Sequence, residues 1–345
     1  MERTIPTISP GAPSGYVLAT PARNEREGLP ALVETVAAQT LAPLVWVIVD
    51  DGSDDGSREW LESARSRHPF LLVLPAPEAA DEYLGAHVAR IKRWGLEQAI
   101  ARARAAGHAP ACAGVLDADV LLPPNHYRVL TELLQREPAL GVVSSVLMAR
   151  EGERQFVEPF QRADLPRGPT QFFSVECLEK MGGLPPWPSF DSIANVKARA
   201  LGYGTRLVTE LVALQSRETA SRYGHAAGYA RKGRYAWFLG LHPILVAART
   251  AAYSARRPHH AGYHFLKAYL TSAVARAPRC PDPVVREHYG LPRVFEVAKA
   301  ALGLGPGYVA RAVSRRSTLG RDPAPTRDPA PTRDPAPTTP PTKAV

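Results

Sequence analysis

Through residues 16–214, short apolar runs alternate with longer stretches of 3.6-residue periodicity, which predicts strand and helix in turn. Tyr16 to Thr20 reads as a strand, and Pro21-Ala22-Arg23-Asn24-Glu25 as a loop. A helix from about Leu29 to Gln39 follows, with Leu29, Leu32, Val33 and Val36 on one face. Leu44 to Asp50 is a second strand, an acidic turn then opens a helix containing Trp60 and Leu61, and Phe70 to Leu74 is a third strand. Ala86 to Ala106 has the Ala, Arg and Leu content of a long helix, and Ala113 to Leu116 is a fourth strand. This alternation predicts an α/β fold: a mainly parallel central sheet flanked by helices, with ligands at the carboxyl edge of its strands.

The second part of the chain continues with a helix over Pro123 to Arg136 and a strand over Gly141 to Ala149. Phe172 to Gly183 reads as a strand, a short helix and a glycine turn; Ser192 to Ala200 as a helix closed by Gly202; Thr205 to Leu214 as a strand. From about His225 the pattern is helical only, for instance over Tyr229 to Leu239, Pro243 to Ala255 and Tyr263 to Ala275. The chain ends differently. Arg321-Asp322-Pro323-Ala324-Pro325-Thr326 recurs twice more through Thr338, and a proline-rich repeat without large apolar residues predicts a disordered tail. The expected organisation is an arm at 1–15, an α/β domain at 16–217 with halves meeting at 120/121, a helical extension at 218–320 and the tail at 321–345.

Composition changes this picture little, and charge changes it more. With 45% hydrophobic and 22% charged residues the chain is an ordinary globular one. No apolar run approaches the length of a spanning helix, Met1 to Ser14 has no apolar core of a leader, and a cytoplasmic protein is expected. Cys112, Cys177 and Cys280 lack metal-ligand spacing and read as buried thiols in a reducing compartment. The net charge is +9, yet Arg217 to Gly320 alone carries 17 Lys and Arg against 4 Asp and Glu. That surplus suits an anionic membrane surface, nucleic acid or a phosphate-bearing substrate. Nucleic acid is disfavoured because the basic third has no recognisable reading motif. Arg231-Lys232-Gly233-Arg234, beside Tyr235, Trp237, Phe238 and Leu239, fits a peripheral membrane face or a packed amphipathic helix.

The chemistry concentrates where apolar runs stop. Val47-Ile48-Val49 ends in Asp50-Asp51-Gly52-Ser53-Asp54-Asp55-Gly56, and Val115-Leu116 ends in Asp117-Ala118-Asp119. Asp51 suits the N–H and O–H donors of a nucleotide, while Ser53 to Asp55 suit the turn and the helix cap. Asp117 and Asp119 can divide labour, one holding a ribose hydroxyl or water and the other a hard divalent cation such as Mg²⁺ or Mn²⁺. Arg90, Lys92 and Arg93 stand at the start of the long helix, in reach of a diphosphate or as a solvated face.

Thr20-Pro21-Ala22-Arg23-Asn24-Glu25, Ile48 to Ser57 and Leu116-Asp117-Ala118-Asp119 together resemble the successive donor-site motifs of family 2 glycosyltransferases of the GT-A fold, the last being their DXD motif. The resemblance continues through Gly168 to Phe173, Cys177 to Leu184 and Phe190-Asp191-Ser192. Lys232 to Tyr235 and Gly240 to Pro243 resemble the C-terminal extension of a bacterial subgroup concerned with exopolysaccharide or cell-surface glycans. It implies a metal-dependent, inverting, hexosyltransferase-like enzyme that moves a sugar from a nucleotide-diphospho-sugar to a glycan or lipid-linked acceptor in polysaccharide biosynthesis. Carried over, it puts Pro21, Arg23 and Glu25 near the nucleotide, Asp51 at the base, Asp117 at the ribose, Asp119 on a Mg²⁺ or Mn²⁺ ion, and Asp191 as catalytic base. Peripheral association with the cytoplasmic face of the inner membrane is an expectation carried by the basic, aromatic run at Arg231 to Leu239, beside the reading of that run as a packed helix.

Three departures from the family pattern stand out. Arg23 replaces an aromatic residue before the Asn, Phe190 replaces the Glu that usually precedes the catalytic acid, and Gln215-Ser216-Arg217 stands where the subgroup carries a His before the Arg that follows its last strand. Two alternatives remain: a sugar nucleotidyltransferase, against which Thr20 to Glu25 lacks a glycine- and lysine-rich triphosphate loop, and a non-catalytic GT-A-like scaffold recruited through its tail.

Overall fold

The computed structural model describes residues 14–78, 85–151, 154–158, 161–216, 224–256, 258–306 and 309. The expected arm before residue 14, Arg217 and the repeat tail from Arg321 lie outside the described residues. In chain order the first half contains β1 (Tyr16–Ala22), α1 (Leu29–Ala37), β2 (Val45–Asp50), α2 (Ser57–Arg65), β3 (Leu71–Pro75), α3 (Ala86–Ala105), β4 (Cys112–Val115) and β5 (Val120–Leu121). The second half of the α/β domain adds α4 (His126–Arg136), β6 (Leu140–Glu151), β7 (Arg154–Val157), β8 (Phe172–Ser174), α5 (Val175–Lys180), α6 (Phe190–Ala200) and β9 (Gly204–Gln215). Five helices follow: α7 (His225–Leu239), α8 (Pro243–Ser254), α9 (Ala261–Val274), α10 (Pro283–Tyr289) and α11 (Leu291–Ala301).

One sheet runs β3-β2-β1-β4-β8-β6-β9-β5, with β7 paired to β6. Its N-terminal half is parallel, as the βα alternation implies: β1 pairs with β2 and β4, and β2 with β3. Beyond β4 the sheet is mixed, because β8 enters antiparallel to both β4 and β6, while β6 and β9 run parallel. Every residue of β1 is buried, the signature of a strand covered on both faces.

Alternate side chains of these strands feed two cores. Tyr16, Leu18, Trp46 and Ile48 pack with Leu29, Leu32 and Val36 of α1 and Leu130 and Leu134 of α4. Val17, Ala19, Val47 and Val49 pack on the other face with Ile91, Leu96 and Ala99 of α3, and with Leu178 and Ala194. Two polar groups inside the first core are paired, the Trp46 indole donating to Thr20 Oγ1 at 2.9 Å and the Tyr16 hydroxyl to the Leu41 carbonyl at 2.8 Å, and Tyr16 stacks on Tyr127 at 4.6 Å.

The C-terminal helices build a third core on the outer side of α6, where Ile193 and Val196 meet Ala236, Leu245, Phe265 and Val285. Two glycines allow that contact. A Cβ at Gly233 of α7 would collide with the Phe265 carbonyl, and one at Gly262 of α9 with Ser254 Oγ and the Thr250 carbonyl. Gly233→Ala is expected to cost about 2 kcal/mol, because a backbone carbonyl cannot give way as a side chain can. Chemical denaturation checks it; an unchanged midpoint would mean the helices separate freely. Ion pairs complete the docking: Glu296 of α11 lies 3.8 Å from both Arg162 and Arg199 of the α/β domain.

The aromatic and basic run of α7 is partly taken up by this packing: Gly233, Ala236 and Leu239 are buried, Trp237 and Phe238 are half-buried, and Arg234 is exposed. The Trp237 indole donates to the Ala277 carbonyl at 2.8 Å, Arg279 lies 3.8 Å over its ring, and Lys232 sits 4.6 Å over Tyr229.

Candidate active site

Two parallel strands end at the same edge and deliver their carboxylates together. The Asp51 N–H donates to the Ala22 carbonyl at 2.8 Å, which ties the end of β2 to the end of β1. Pro21 stands opposite Val49, at the terminal part of β1 where a missing N–H costs little. The following turn needs Gly52, whose φ is +69°.

Ser53, Asp54 and Asp55 do turn chemistry, as their placement implied. Ser53 Oγ accepts from the Asn24 N–H at 3.1 Å, the Asp54 N–H donates to Asn24 Oδ1 at 3.0 Å, and Asp55 accepts from Arg26 N–H at 3.0 Å. Asp55 also accepts from the Ser57 N–H at 3.0 Å and opens α2, although Gly56 is the residue at the helix boundary. The first two motifs are therefore stitched into one rim. Glu25 contributes main-chain bonds to it, its carbonyl accepting from Gly28 and Leu29 at 3.0 Å and its N–H donating to Ser57 Oγ at 3.1 Å.

Asp51 itself is buried and held from two sides. His87, at the start of α3, brings Nε2 to 2.8 Å from Oδ1, and Arg23 brings Nη1 to 3.4 Å from Oδ2. An ionised carboxylate only accepts, so His87 donates through Nε2 and turns Nδ1 away. That Nδ1 is buried without a hydrogen-bond partner among the described residues. A buried nitrogen of this kind is met by a water or by a ligand group.

Asp117 and Asp119 leave β4 half-buried. Lys92, whose side chain is 4% exposed, forms an ion pair with Asp117 and lies 4.6 Å over the Phe190 ring. The other two basic residues of that run go elsewhere: Arg90 to Glu78 at 3.2 Å and Arg93 to Glu97 at 2.8 Å. Asp119 is met by the last strand, since β5 pairs Val120 with Gln215 and puts Gln215 Nε2 3.4 Å from both carboxylate oxygens.

Asp191 lies inside the first turn of α6, not ahead of the helix, and its side chain makes no cap. Instead Oδ2 accepts from the Gly168 N–H at 3.3 Å. Gly168 begins a 3-10 turn (Gly168–Thr170), and a Cβ there would stand 3.2 Å from the Asp191 Cβ. The next residue of that turn, Pro169, accepts from the Asp117 N–H at 3.0 Å. A single turn thus ties the backbone of Asp117 to the carboxylate of Asp191. Phe190, in place of an acid, is buried beneath Lys92 and offers no polar contact to an acceptor.

No group of three or more His, Cys, Asp or Glu side chains gathers among the described residues, so an all-protein metal cage is absent there. Mg²⁺ or Mn²⁺ bound through one or two carboxylates and completed by substrate phosphates needs less. Asp119 fits that mode, whereas Asp117 already has its charge balanced by Lys92. The cysteines take no part: all three are free and buried, and burial pushes Cys112 and Cys177 up to about 12.

Lys92 was one of three equivalent cations in the sequence, and His87 carried no signal beyond its place two residues after Gly85. Both lie on the inward face of α3, with Ala89, Ile91 and Leu96. A buried Lys and His among Ile and Ala positions is the pattern that marks them.

Residues 18–177 match the family model described as Glycosyl transferase family 2. Among solved structures, the mannosyltransferase PcManGT from Pyrobaculum calidifontis, in complex with GDP-Man and Mn²⁺, is 19% identical, with 86% of this chain and 82% of that one covered at a TM-score of 0.47. S. aureus TarS 1-349 in complex with UDP-GlcNAc is 14% identical, with 84% and 88% covered at a TM-score of 0.49. No curated protein matches the chain.

Proposed function

We propose, from the match of residues 18–177 to the family model described as Glycosyl transferase family 2, that the chain moves a sugar, with inversion, from a nucleotide-diphospho-sugar to an acceptor hydroxyl. The observation that supports this best is the 3-10 turn that joins Asp117, on the donor side, to Asp191, at the head of α6. It sets a donor-binding edge and a half-buried carboxylate on one rigid support.

In this reading Asp51 holds the nucleobase, Asp117 the ribose, and Pro21, Arg23 and Glu25 shape the nucleotide rim. Asp191 takes the proton of the acceptor hydroxyl as its oxygen bonds to the anomeric carbon. The bond from that carbon to the diphosphate breaks at the same time, and the nucleoside diphosphate leaves without a covalent enzyme intermediate. Asp119 would hold a Mg²⁺ or Mn²⁺ ion, which supplies charge neutralisation for the leaving diphosphate. Lys92 keeps Asp117 oriented and cancels its charge. A glycan or lipid-linked acceptor of bacterial surface polysaccharide synthesis, handled in the cytoplasm, is the setting that the C-terminal extension suggests.

The orphaned Nδ1 of His87 makes the base site testable. His87→Ala removes one of the two groups that hold Asp51, and is expected to weaken donor binding about tenfold and to flatten the preference among uracil, guanine and thymine nucleotides. Competition binding with the three nucleoside diphosphates measures both. An unchanged ratio of affinities would remove the Asp51–His87 pair from base recognition.

A further inference from the structure

Helix α9 has two unlike faces. Ala261, Gly262, Phe265 and Ser272 are buried within the helical extension, whereas Tyr263, Leu270 and Val274 are 59%, 51% and 87% exposed. Positions 263, 266, 270 and 274 recur at three and four residues, so Tyr263, Leu266, Leu270 and Val274 form one apolar strip, with Lys267 and Thr271 beside them. No helix among the described residues is long and apolar enough to cross a membrane, so this strip belongs to a surface.

The charge around it is one-sided. Between Gly224 and Pro281 the chain has nine Lys and Arg and no Asp or Glu. Lys267 and Arg276 are exposed at the strip and just past its end, and Lys267 Nζ lies 5.7 Å from the Tyr263 ring. Such a strip suits the acyl boundary of a bilayer, with tyrosine at headgroup depth and long cations reaching anionic lipid. A second copy of the same face would bring Lys267 and Arg276 against their own counterparts with no acid in that segment to meet them. The repeat at Arg321–Thr338 contains only Arg, Asp, Pro, Ala and Thr, and has no large side chain to fill the strip.

We propose that α9 docks the protein on an anionic bilayer, with Tyr263, Leu266, Leu270 and Val274 in contact with lipid and Lys267 and Arg276 among the headgroups. The docking element is α9, whose strip is more exposed than the half-buried run of α7 packed against it. This goes beyond the transferase reading and does not depend on it, because donor binding and vesicle binding are separate measurements.

Flotation of the full chain with phosphatidylcholine vesicles containing about 30% phosphatidylglycerol tests it, with pure phosphatidylcholine as the comparison. The expected result is binding to the anionic vesicles that is at least about tenfold tighter than to neutral ones, and a similar loss in the Leu270→Glu/Val274→Glu variant. That variant should keep its unfolding midpoint and donor affinity, since both side chains are exposed and outside the donor pocket. Absence of binding to anionic vesicles would overturn the proposal, as would equal binding by the variant. So would a wild-type dimer that the double variant dissolves, which would assign the strip to a second copy.

Discussion

Asp191→Asn is expected to lower release of nucleoside diphosphate from the donor by about 10³-fold while donor affinity stays within about twofold, because proton transfer by a positioned base contributes 10²–10⁴ and binding does not use it. Asparagine is the informative replacement. Its side-chain oxygen can still accept from the Gly168 N–H, as Asp191 Oδ2 does at 3.3 Å, so the turn that supports the site is retained. Only the capacity to take a proton is lost. Steady-state turnover and donor titration by calorimetry, run on the same preparation, separate the two effects. Full turnover by the variant would remove Asp191 from the base role, and a collapse of donor affinity would make it a structural residue.

Lys92→Met is the second large effect, and it acts on folding and binding together. The Lys92 side chain is 4% exposed and its ammonium pairs with Asp117, which remains 28% exposed. Breaking a buried pair costs about 3–5 kcal/mol; the solvent reaching Asp117 places the loss near the lower end, about 3 kcal/mol. The variant also leaves one uncompensated negative charge where the donor diphosphate must approach, which is expected to weaken donor binding about tenfold. Lys92→Arg keeps the charge in a crowded space and should recover most of the affinity with part of the stability. Denaturant unfolding and donor titration check these outcomes. A destabilised Lys92→Met protein with undiminished donor affinity would confine Lys92 to the core.

The legible part of the molecule is the part where apolar runs meet carboxylates. The strands that became β1, β2 and β4 were continuous apolar runs, because each is covered on both faces, and the acids that end them had to lie at one edge of a parallel sheet. The buried face of α1 was equally plain, with Leu29, Leu32, Val33 and Val36 all turned inward. The sheet beyond β4 was less so. The strand beginning at Phe172 was legible but its antiparallel direction was not, and β5, two residues long, is too short for a periodic signal.

Side-chain partners were the least legible. Arg90, Lys92 and Arg93 look alike in the chain, and only the phase of α3 against the sheet turns Lys92 inward toward Asp117. His87 reaches Asp51 for the same reason. The α7 run has the composition of a membrane face, yet Gly233 lets α9 approach so closely that Trp237 and Phe238 are half-buried. The free apolar strip then falls on α9, which carries large apolar side chains on its exposed face as well as on its buried one.

The central claim is that the edge formed by Asp51, Asp117 and Asp119 receives a nucleotide-diphospho-sugar. The most direct measurement is the shift in unfolding midpoint of the full chain with UDP-, GDP- and dTDP-sugars, each with Mn²⁺ and with chelator. The account predicts stabilisation by one nucleotide class, dependent on the metal and lost in Asp119→Ala. No stabilisation by any donor, or binding of a nucleoside triphosphate with release of pyrophosphate from a sugar phosphate, would contradict it.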